Sequence, residues 1–211
     1  KDFAPVILAA RLPLIMTVTA SLPAHSVADV VALARARPGQ LGFASSGTGG
    51  APHLAGELFK SLNRIDILHV PYRGSGPAVV DLVAGRVQIM FDAAPSLLPF
   101  IVSGQLRPLA AASRQRHPLL PQTPSFAELG YERMDISLWY GVVAPAATPP
   151  AVVQRLNAEL ARILDLADVR KSLSDQGADP GGGSPAAFGA FMRDEMARWG
   201  AVVKEAGINA E

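Results

Sequence analysis

Small polar residues and glycines are concentrated in the stretch Ser45–His53, which reads Ser-Ser-Gly-Thr-Gly-Gly-Ala-Pro-His. A predicted strand, Leu41–Ser45, precedes this stretch, and a predicted helix, His53–Leu62, follows it. Glycine lets a backbone turn sharply with its N–H groups pointing outward, and the first turn of a helix adds unpaired N–H groups and a positive dipole end. The stretch therefore predicts a site for a carboxylate or a phosphate. A tight turn before a capped helix, with no ligand, is the alternative interpretation.

Further polar side chains follow the next two predicted strands. The candidate ligand-binding residues are Ser45, Ser46, Gly47, Thr48, Gly49, His53, Arg73, Gly74 and Asp92. His53 can donate to an anion, or it can cap and pack. Arg73 can pair with a carboxylate or point into solvent. Asp92 can bind an amine or fix a neighbouring loop, and we favour loop fixing because an acid beside an anion pocket opposes anion binding.

Motifs for nucleotide binding and for catalysis are incomplete. A phosphate loop needs Lys and then Ser or Thr after its last glycine, where this chain has Ala51-Pro52. A dinucleotide fingerprint that starts at Gly47 needs glycine at the position of Pro52. Ser45, His53 and Asp92 can be combined into a triad on paper, but Ser46 lacks the flanking glycines of a nucleophile elbow. We therefore predict a binding protein without enzymatic activity, metal or cofactor.

Composition agrees with a folded binding protein. Of the 211 residues 49% are hydrophobic and 18% charged, the net charge is +1, and there is no cysteine. This balance excludes a disordered chain and offers no basic surface for nucleic acid. Disulfide and thiolate chemistry are excluded as well. No apolar run approaches the roughly 18 residues that span a bilayer.

Strands alternate with short helices between Leu41 and Ala112, which predicts a largely parallel sheet with helices on both faces. We predict two early strands, Val6–Ala9 and Leu14–Thr19, a helix capped by Ser26, and a short helix over Ser125–Leu129. The extended segments Leu14–Thr19 and Ile136–Ala144 are predicted to lie side by side as a hinge. The rest of the chain is mostly helical, interrupted by a flexible glycine stretch. The other predicted helices and strands are Val27–Arg37, Ile65–Val70, Pro77–Ala84, Val87–Phe91, Ser96–Ser103, Leu106–Ala112, Ala151–Asp165, Ala167–Gln176 and Pro185–Ala206, with the flexible stretch at Gly181–Gly183.

A series of short motifs in this chain resembles the tripartite tricarboxylate transporter receptors, the Bug or TctC substrate-binding proteins. Each motif alone is weak, but their order and spacing together are specific and cover essentially all 211 residues. The motifs are Lys1–Val6, Ser46–Gly49 with His53-Leu54, Val70–Gly74, Gly85–Val87 with Phe91-Asp92, Gly104–Arg107, Pro121–Pro124 with Glu128, Trp139–Pro145, Trp199 and Ala206–Ile208.

The resemblance implies an α/β protein with the bilobed, type II periplasmic-binding-protein (venus-flytrap) fold. It implies a periplasmic receptor, made with a signal peptide, that closes on a dicarboxylate, tricarboxylate, acidic amino acid or aromatic acid and works with membrane transporter subunits. In the family the stretch that matches Ser46–Gly49 supplies ligand contacts of the second lobe. We extend that role to Ser45, Arg73, Gly74 and Asp92.

Family members begin with roughly a further third of sequence, so we expect one lobe to be nearly complete and the other partial. The expected division is a remnant of lobe 1 with the first crossover strand over residues 1–18, lobe 2 over 19–134, and the second crossover strand with the C-terminal helical part of lobe 1 over 135–211. Helices of lobe 1 without the sheet that they should cover would expose apolar faces, so we expect self-association of the chain. Two other functions stay open: the effector domain of a cytosolic transcription regulator, and a small-acid hydrolase.

Overall fold

The computed structural model describes residues 2–208, except for the side chain of Ala206. The outermost residues of the expected division, Lys1 and 209–211, lie outside the described residues. The strands are β1 (Phe3–Thr19), β2 (Gly42–Ser45), β3 (Leu68–Pro71), β4 (Ile89–Ala93), β5 (Leu106–Ala112), β6 (Ser137–Pro145) and β7 (Asp179–Gly182). The helices are α1 (Val27–Ala36), α2 (Ala51–Asn63), α3 (Ser75–Val83), α4 (Ala94–Val102), α5 (Pro150–Leu164), α6 (Ala167–Asp175) and α7 (Pro185–Ala206), with a 3-10 turn at Glu132–Met134.

Contacts between residues divide the chain into two compact units. Unit 1 consists of Lys1–Leu12 and Leu138–Ala201, and unit 2 consists of Pro13–Ser137 and Val202–Glu211. Strand β1 contributes its first half to unit 1 and its second half to unit 2. Pro13, which has no N–H to donate, lies between the pairing of Leu8–Arg11 with β7 and the pairing that begins at Leu14. The prediction of two separate early strands is therefore wrong, because one strand continues through Pro13 and changes its partners there.

Unit 2 is built on a five-stranded mixed sheet in the order β3-β2-β4-β1-β5. Strand β2 pairs in parallel with β3 and with β4, as the alternation of strands and helices predicts. Strand β1 runs antiparallel to both β4 and β5, so the prediction of a largely parallel sheet is only partly right. The alternation specifies the direction of strands that a helix connects, but not that of a strand arriving from another part of the chain.

Helices cover both faces of this sheet. Helix α2 packs on one face, where Gly56 lies directly under the ring of Phe43 and a Cβ at position 56 would collide with that ring. Phe59 of α2 is fully buried against Phe91 and Phe126. Helices α3 and α4 pack on the other face, on a cluster of fully buried or nearly buried residues. That cluster is Ile15, Ala44, Ala78, Val79, Leu82, Val87, Met90, Ala94, Leu97 and Leu106.

Two segments of unit 2 test local sequence patterns. The cap of α1 is confirmed, since the Ser26 hydroxyl accepts a hydrogen bond from the Asp29 N–H at 3.1 Å. The helix predicted over Ser125–Leu129 is wrong, although its cap forms. Ser125 N–H donates to the Glu128 carboxylate at 2.7 Å and Glu128 N–H donates to the Ser125 hydroxyl at 3.1 Å. Gly130, at φ 83°, turns the chain away before a helical turn can repeat.

Unit 1 contains the first half of β1, most of β6, all of β7, the helices α5 and α6 and most of α7. Both β6 and β7 pair with β1. Strand β7 corrects the prediction of a flexible stretch at Gly181–Gly183. Gly181 approaches the Leu8 carbonyl so closely that a Cβ at this position would collide with it, so glycine here permits pairing of two backbones. No helix within residues 2–208 combines the length and apolar character needed to cross a bilayer.

Candidate functional site

The Gly-rich bend, residues 46–50, joins the end of β2 to the start of α2. Thr48, Gly49 and Gly50 are exposed, whereas Ser45 at the end of β2 is fully buried. Gly49 has φ 79°, a left-handed conformation that glycine adopts without steric cost. The local sequence therefore forms a tight turn between β2 and α2 and leaves Thr48, Gly49 and Gly50 exposed to solvent.

The N–H groups of the bend fall into two sets. Gly47 N–H donates to the Ser45 hydroxyl at 3.3 Å, and Gly49 N–H donates to Nδ1 of His53 at 3.0 Å. Within residues 2–208 no protein acceptor lies on the N–H groups of Ser46, Thr48 and Gly50. Neighbouring groups therefore satisfy two of the N–H groups and leave three for a ligand or water, close to the positive end of α2.

The loop after β3 is fastened to the bend by backbone hydrogen bonds. Tyr72 N–H donates to the Ser45 carbonyl at 3.0 Å, and Gly74 N–H donates to the Ser46 carbonyl at 3.1 Å. Gly74 has φ 103° and precedes α3, so its lack of a side chain permits this close turn. The Tyr72 hydroxyl donates to the Asp81 carboxylate at 2.9 Å, which holds the loop against α3.

The bend and this loop line one cavity of about 620 Å³ in unit 2. Four of the nine predicted ligand-binding residues contribute to its wall: Gly47, Thr48, Gly49 and Arg73. The remaining wall residues are Pro71, Tyr72, Val203 and Ile208. Arg73 is exposed and is the one charged side chain among the described residues of this wall, which also includes Thr48 with its unpaired N–H group.

Ser45 and His53 lie behind the bend instead of in the cavity. Both are buried, and each accepts one N–H group of the bend. The Ser45 hydroxyl also lies 2.6 Å from Nε2 of His69, and the rings of His53 and His69 stack with centroids 3.7 Å apart. The contact between Ser45 and His69 was not predicted from the sequence. Only the pairing of β2 with β3, in which Phe43 lies beside His69, brings these two side chains together.

Asp92 near the end of β4 is buried, with 1% of its surface exposed. One carboxylate oxygen accepts the Ala93 N–H at 2.8 Å, and the other has no hydrogen-bond partner within residues 2–208. Burial raises the pKa of Asp92, and the nearby Ser75 hydroxyl and the Ala93 N–H offset part of that rise. The Ala93 contact joins Asp92 only to the next residue, so the fixing of a neighbouring loop by Asp92 stays a prediction. Asp92 does not reach the cavity wall.

The groups that a hydrolase needs are not assembled at the bend. Ser45 contacts His69 and not His53, and it is fully buried, so a substrate carbonyl cannot reach its hydroxyl. Asp92 has no contact with either histidine among the hydrogen bonds and ion pairs of residues 2–208. In the same part of the chain no three His, Cys, Asp or Glu side chains are grouped closely enough to hold a metal ion.

Comparison with known proteins places this geometry in a family. The family described as the tripartite tricarboxylate transporter family receptor matches residues 1–208. The chain is 41% identical over its whole length to a protein of the tcbD-tcbE intergenic region of a Pseudomonas species, of which it spans 63%. It is 37% identical to the protein BugT of Bordetella pertussis over 98% of this chain and 64% of that protein.

A solved structure agrees in backbone. The R. palustris protein Rpa4515 with adipate superimposes with a TM-score of 0.91 at 41% identity, over 99% of this chain and 70% of that one. The predicted α/β fold class, with part of a periplasmic-binding-protein fold present, is confirmed. The chain spans less than two thirds of the two curated relatives named above. With its order of motifs, its fold and the matched residues in agreement, this chain belongs to the tripartite tricarboxylate transporter family of receptors.

Proposed function

We propose that the protein is a periplasmic solute-binding receptor that holds a small carboxylate-bearing metabolite and presents it to the membrane subunits of a tripartite tricarboxylate-type transporter or to a sensor. The observation that carries the proposal is the set of N–H groups of Ser46, Thr48 and Gly50, for which residues 2–208 provide no acceptor. A carboxylate needs several donors and no metal. The relative with adipate supports a dicarboxylate as the first ligand class to test.

The proposed roles follow from exposure. The N–H groups of the bend and the hydroxyls of Ser46 and Thr48 donate to one carboxylate. Arg73, on the same cavity wall, pairs with that carboxylate or with a second one. Charge-assisted hydrogen bonds of this kind contribute about 1.5–3 kcal/mol each when water is excluded.

The other predicted residues act behind the cavity. Gly74 allows the loop after β3 to approach the bend. Ser45 and His53 accept hydrogen bonds from the N–H groups of Gly47 and Gly49 and keep these two groups directed toward the protein. Asp92 is proposed to contribute through the shape of the junction between β4 and α4, which follow each other directly in the chain. A charged carboxylate in direct contact with a bound anion would instead oppose binding.

A second cavity of unit 2 fits an anion less well. It has a volume of about 370 Å³, and the described residues of its wall include two carboxylates, Glu57 and Glu205, and one cation, Lys60. Glu57 already pairs with Lys60 at 3.0 Å. A carboxylate ligand at this place would meet a net negative wall, which favours the cavity at the bend as the binding site.

The proposal is tested by titration calorimetry of the full-length protein against adipate and a panel of small carboxylates. The Gly49→Ala variant is expected to bind at least about tenfold more weakly, because alanine resists the left-handed conformation of residue 49. Gly76→Ala is the matched control, since residue 76 has an ordinary backbone and open space around it. Arg73→Gln is expected to cost about tenfold as well.

Absence of binding by the unaltered protein to every carboxylate of the panel at millimolar concentration would contradict the proposal. Equal affinities of the Gly49→Ala and Gly76→Ala variants would contradict the placement of the site at the bend.

A further inference from the structure

Three aromatic rings form a continuous stack behind the Gly-rich bend. The ring of Phe43 on β2 lies 5.0 Å from that of His69 on β3, and His69 lies 3.7 Å from His53 on α2, with the two imidazoles inclined by 10°. Gly56 makes room for Phe43. Helix interiors disfavour glycine by about 1 kcal/mol relative to alanine, so α2 accepts a cost at this position that lets the stack form.

The hydrogen bonds of His53 specify its protonation state. Its Nδ1 accepts the Gly49 N–H at 3.0 Å, so Nδ1 carries no proton. Its Nε2 lies 3.9 Å from the Glu57 carboxylate, where a proton on Nε2 is favoured. The neutral Nε2–H tautomer satisfies both contacts, and a proton on Nδ1 would set two donors against each other.

The contacts of His69 and Ser45 are consistent with the same tautomer of His69. The Ser45 hydroxyl donates to the Gly47 carbonyl at 3.0 Å and accepts the Gly47 N–H at 3.3 Å. Its single proton is then committed, so the 2.6 Å contact with Nε2 of His69 requires the proton of that contact to come from the imidazole. The stack therefore ends in two hydrogen bonds that hold Gly47 and Gly49.

We propose that the stacked pair His53 and His69 positions the Gly-rich bend for its ligand, and that gain of a proton by His53 weakens carboxylate binding. The proposal rests on the proposed function for its second half only. Holding the N–H groups of Gly47 and Gly49 inward leaves those of Ser46, Thr48 and Gly50 directed away from the protein's own acceptors. His53 and His69 are thus positioning residues that act through the backbone and do not touch the ligand.

Burial favours the neutral form of the pair, and the charged groups around it act in both directions. Glu57 and Lys60 of α2 face the pair. The residues that face it from β2, Phe43 and Ser45, are uncharged. Glu205 of α7 accepts a hydrogen bond from the Ser61 hydroxyl, farther along α2. Burial lowers the pKa of both histidines, that of His69 to about 4, and Lys60 adds to both decreases while Glu57 opposes the decrease at His53. Two imidazolium rings at 3.7 Å would repel, so the pair takes up its protons one at a time.

A positive charge on His53 also attracts an anion, and this effect opposes the loss of geometry. The charge lies 3.9 Å from the carboxylate of Glu57, which offsets much of its attraction for an anion. Loss of the acceptor on His53 directly affects Gly49, which lines the cavity and has a left-handed conformation. We therefore expect the geometric effect to exceed the electrostatic one.

Two variants of residue 53 separate the acceptor from the ring. His53→Asn keeps an oxygen acceptor near the position of Nδ1, and His53→Phe keeps a flat ring in the stack but removes the acceptor. Long-range 1H–15N NMR spectra at neutral pH should show the Nε2–H tautomer for both histidines of the unaltered protein. The Gly49 amide should exchange with solvent about tenfold faster in His53→Phe, with no comparable change in His53→Asn.

Calorimetry with adipate as the probe gives the second readout. The affinity of His53→Phe should fall about tenfold while that of His53→Asn stays within about threefold of the unaltered protein. As pH falls below 6.5, the ordinary histidine pKa, the unaltered protein should lose affinity faster than His53→Asn. The titration of adipate itself is common to both proteins and cancels in this comparison.

The possible outcomes are distinguishable. An Nδ1–H tautomer of His53, or equal Gly49 exchange in the two variants, overturns the positioning role whether or not adipate binds. Adipate binding of equal strength by the unaltered protein and His53→Phe overturns the link to the ligand. The expected NMR result without adipate binding supports the positioning role and counts against the proposed function instead.

Discussion

Units 1 and 2 differ in how much of their own apolar surface they bury. In unit 2, a sheet covered on both faces encloses Phe59, Phe91 and Phe126 at 0% exposure. In unit 1, neither α5 nor α6 has a buried residue, one small core cluster around β1 contains Val6, Ile7 and Ala144, and Phe188 of α7 is also buried. Unit 2 can therefore be stabilised by its own core, whereas unit 1 leaves amphipathic helices incompletely covered.

The difference means that the Gly-rich bend, the proposed binding loop, has a rigid base. The Gly-rich bend belongs to the well-packed unit 2, where β2, β3 and α2 hold it by backbone hydrogen bonds and by the imidazole stack. In unit 1 the exposed fractions of Val152, Leu156 and Ile163 lie between 40% and 46%. Self-association through this face stays a prediction.

The largest expected effect separates the two cores. Phe59→Ala in unit 2 removes a fully buried ring and should lower the free energy of unfolding by about 3–5 kcal/mol. Leu156→Ala in unit 1 removes a side chain that is 41% exposed and should cost less than about 1 kcal/mol. Urea unfolding with tryptophan fluorescence and circular dichroism measures both changes, and similar losses in the two variants would contradict the comparison.

The next effect concerns acid sensitivity of unit 2. The pKa of His69 is lowered from 6.5 to about 4, so the unfolded chain binds more protons than the folded one between these values. Stability from this group is complete above pH 6.5 and is lost as pH falls through about 4, by about 2–3 kcal/mol in total. Urea unfolding across this pH range should show a smaller loss for His69→Gln, which keeps a donor near the position of Nε2. Identical pH profiles would remove the histidine from the explanation.

A smaller effect of opposite sign is expected at Asp92. Burial raises its pKa, so the folded chain binds more protons than the unfolded one, and stability falls as pH rises from 3.8 through the folded value. Asp92→Asn removes the buried charge and keeps an acceptor for the Ala93 N–H. At neutral pH we expect the free energy of unfolding of the variant to exceed that of the unaltered protein by about 1–3 kcal/mol, with a higher melting temperature as the measured sign. This gain should shrink toward pH 4. A gain that persists at low pH would point to packing and not to charge.

The sequence predicted most of unit 2 because its local patterns are consistent. Periodicity, a Ser cap and glycine or proline at the boundaries identify α1 and α2 and the strands around them. Patterns of this kind do not reveal that β1 runs antiparallel between β4 and β5, because that pairing joins distant segments. They also mislead at Ser125–Leu129, where the capping hydrogen bonds form without a helix, and at Gly181, where glycine permits a close strand and not a flexible loop.

At the candidate site, the local sequence predicted the Gly-rich bend but not the buried residues that pack behind it. Glycines and hydroxyls are visible as a local run, so the placement of Gly47, Thr48 and Gly49 in one cavity with Arg73 could be anticipated from the order of strands. The contact of Ser45 with His69 depends on the register of β2 against β3, which no local pattern specifies. The burial of Asp92 is likewise a result of packing that its position after a strand did not reveal.

The smallest expected effect belongs to the surface of unit 1. Lys171 and Asp175 of α6 form an ion pair at 2.6 Å, with side chains that are 74% and 60% exposed. Water and salt screen such a pair, so a double-mutant cycle with Lys171→Ala and Asp175→Ala should give a coupling energy below about 0.5 kcal/mol. The coupling should shrink further as salt concentration rises. A coupling above about 1 kcal/mol would mean that charges on α6 hold unit 1 together more than its small core does, and the contrast between the two units would then rest on electrostatics instead of burial.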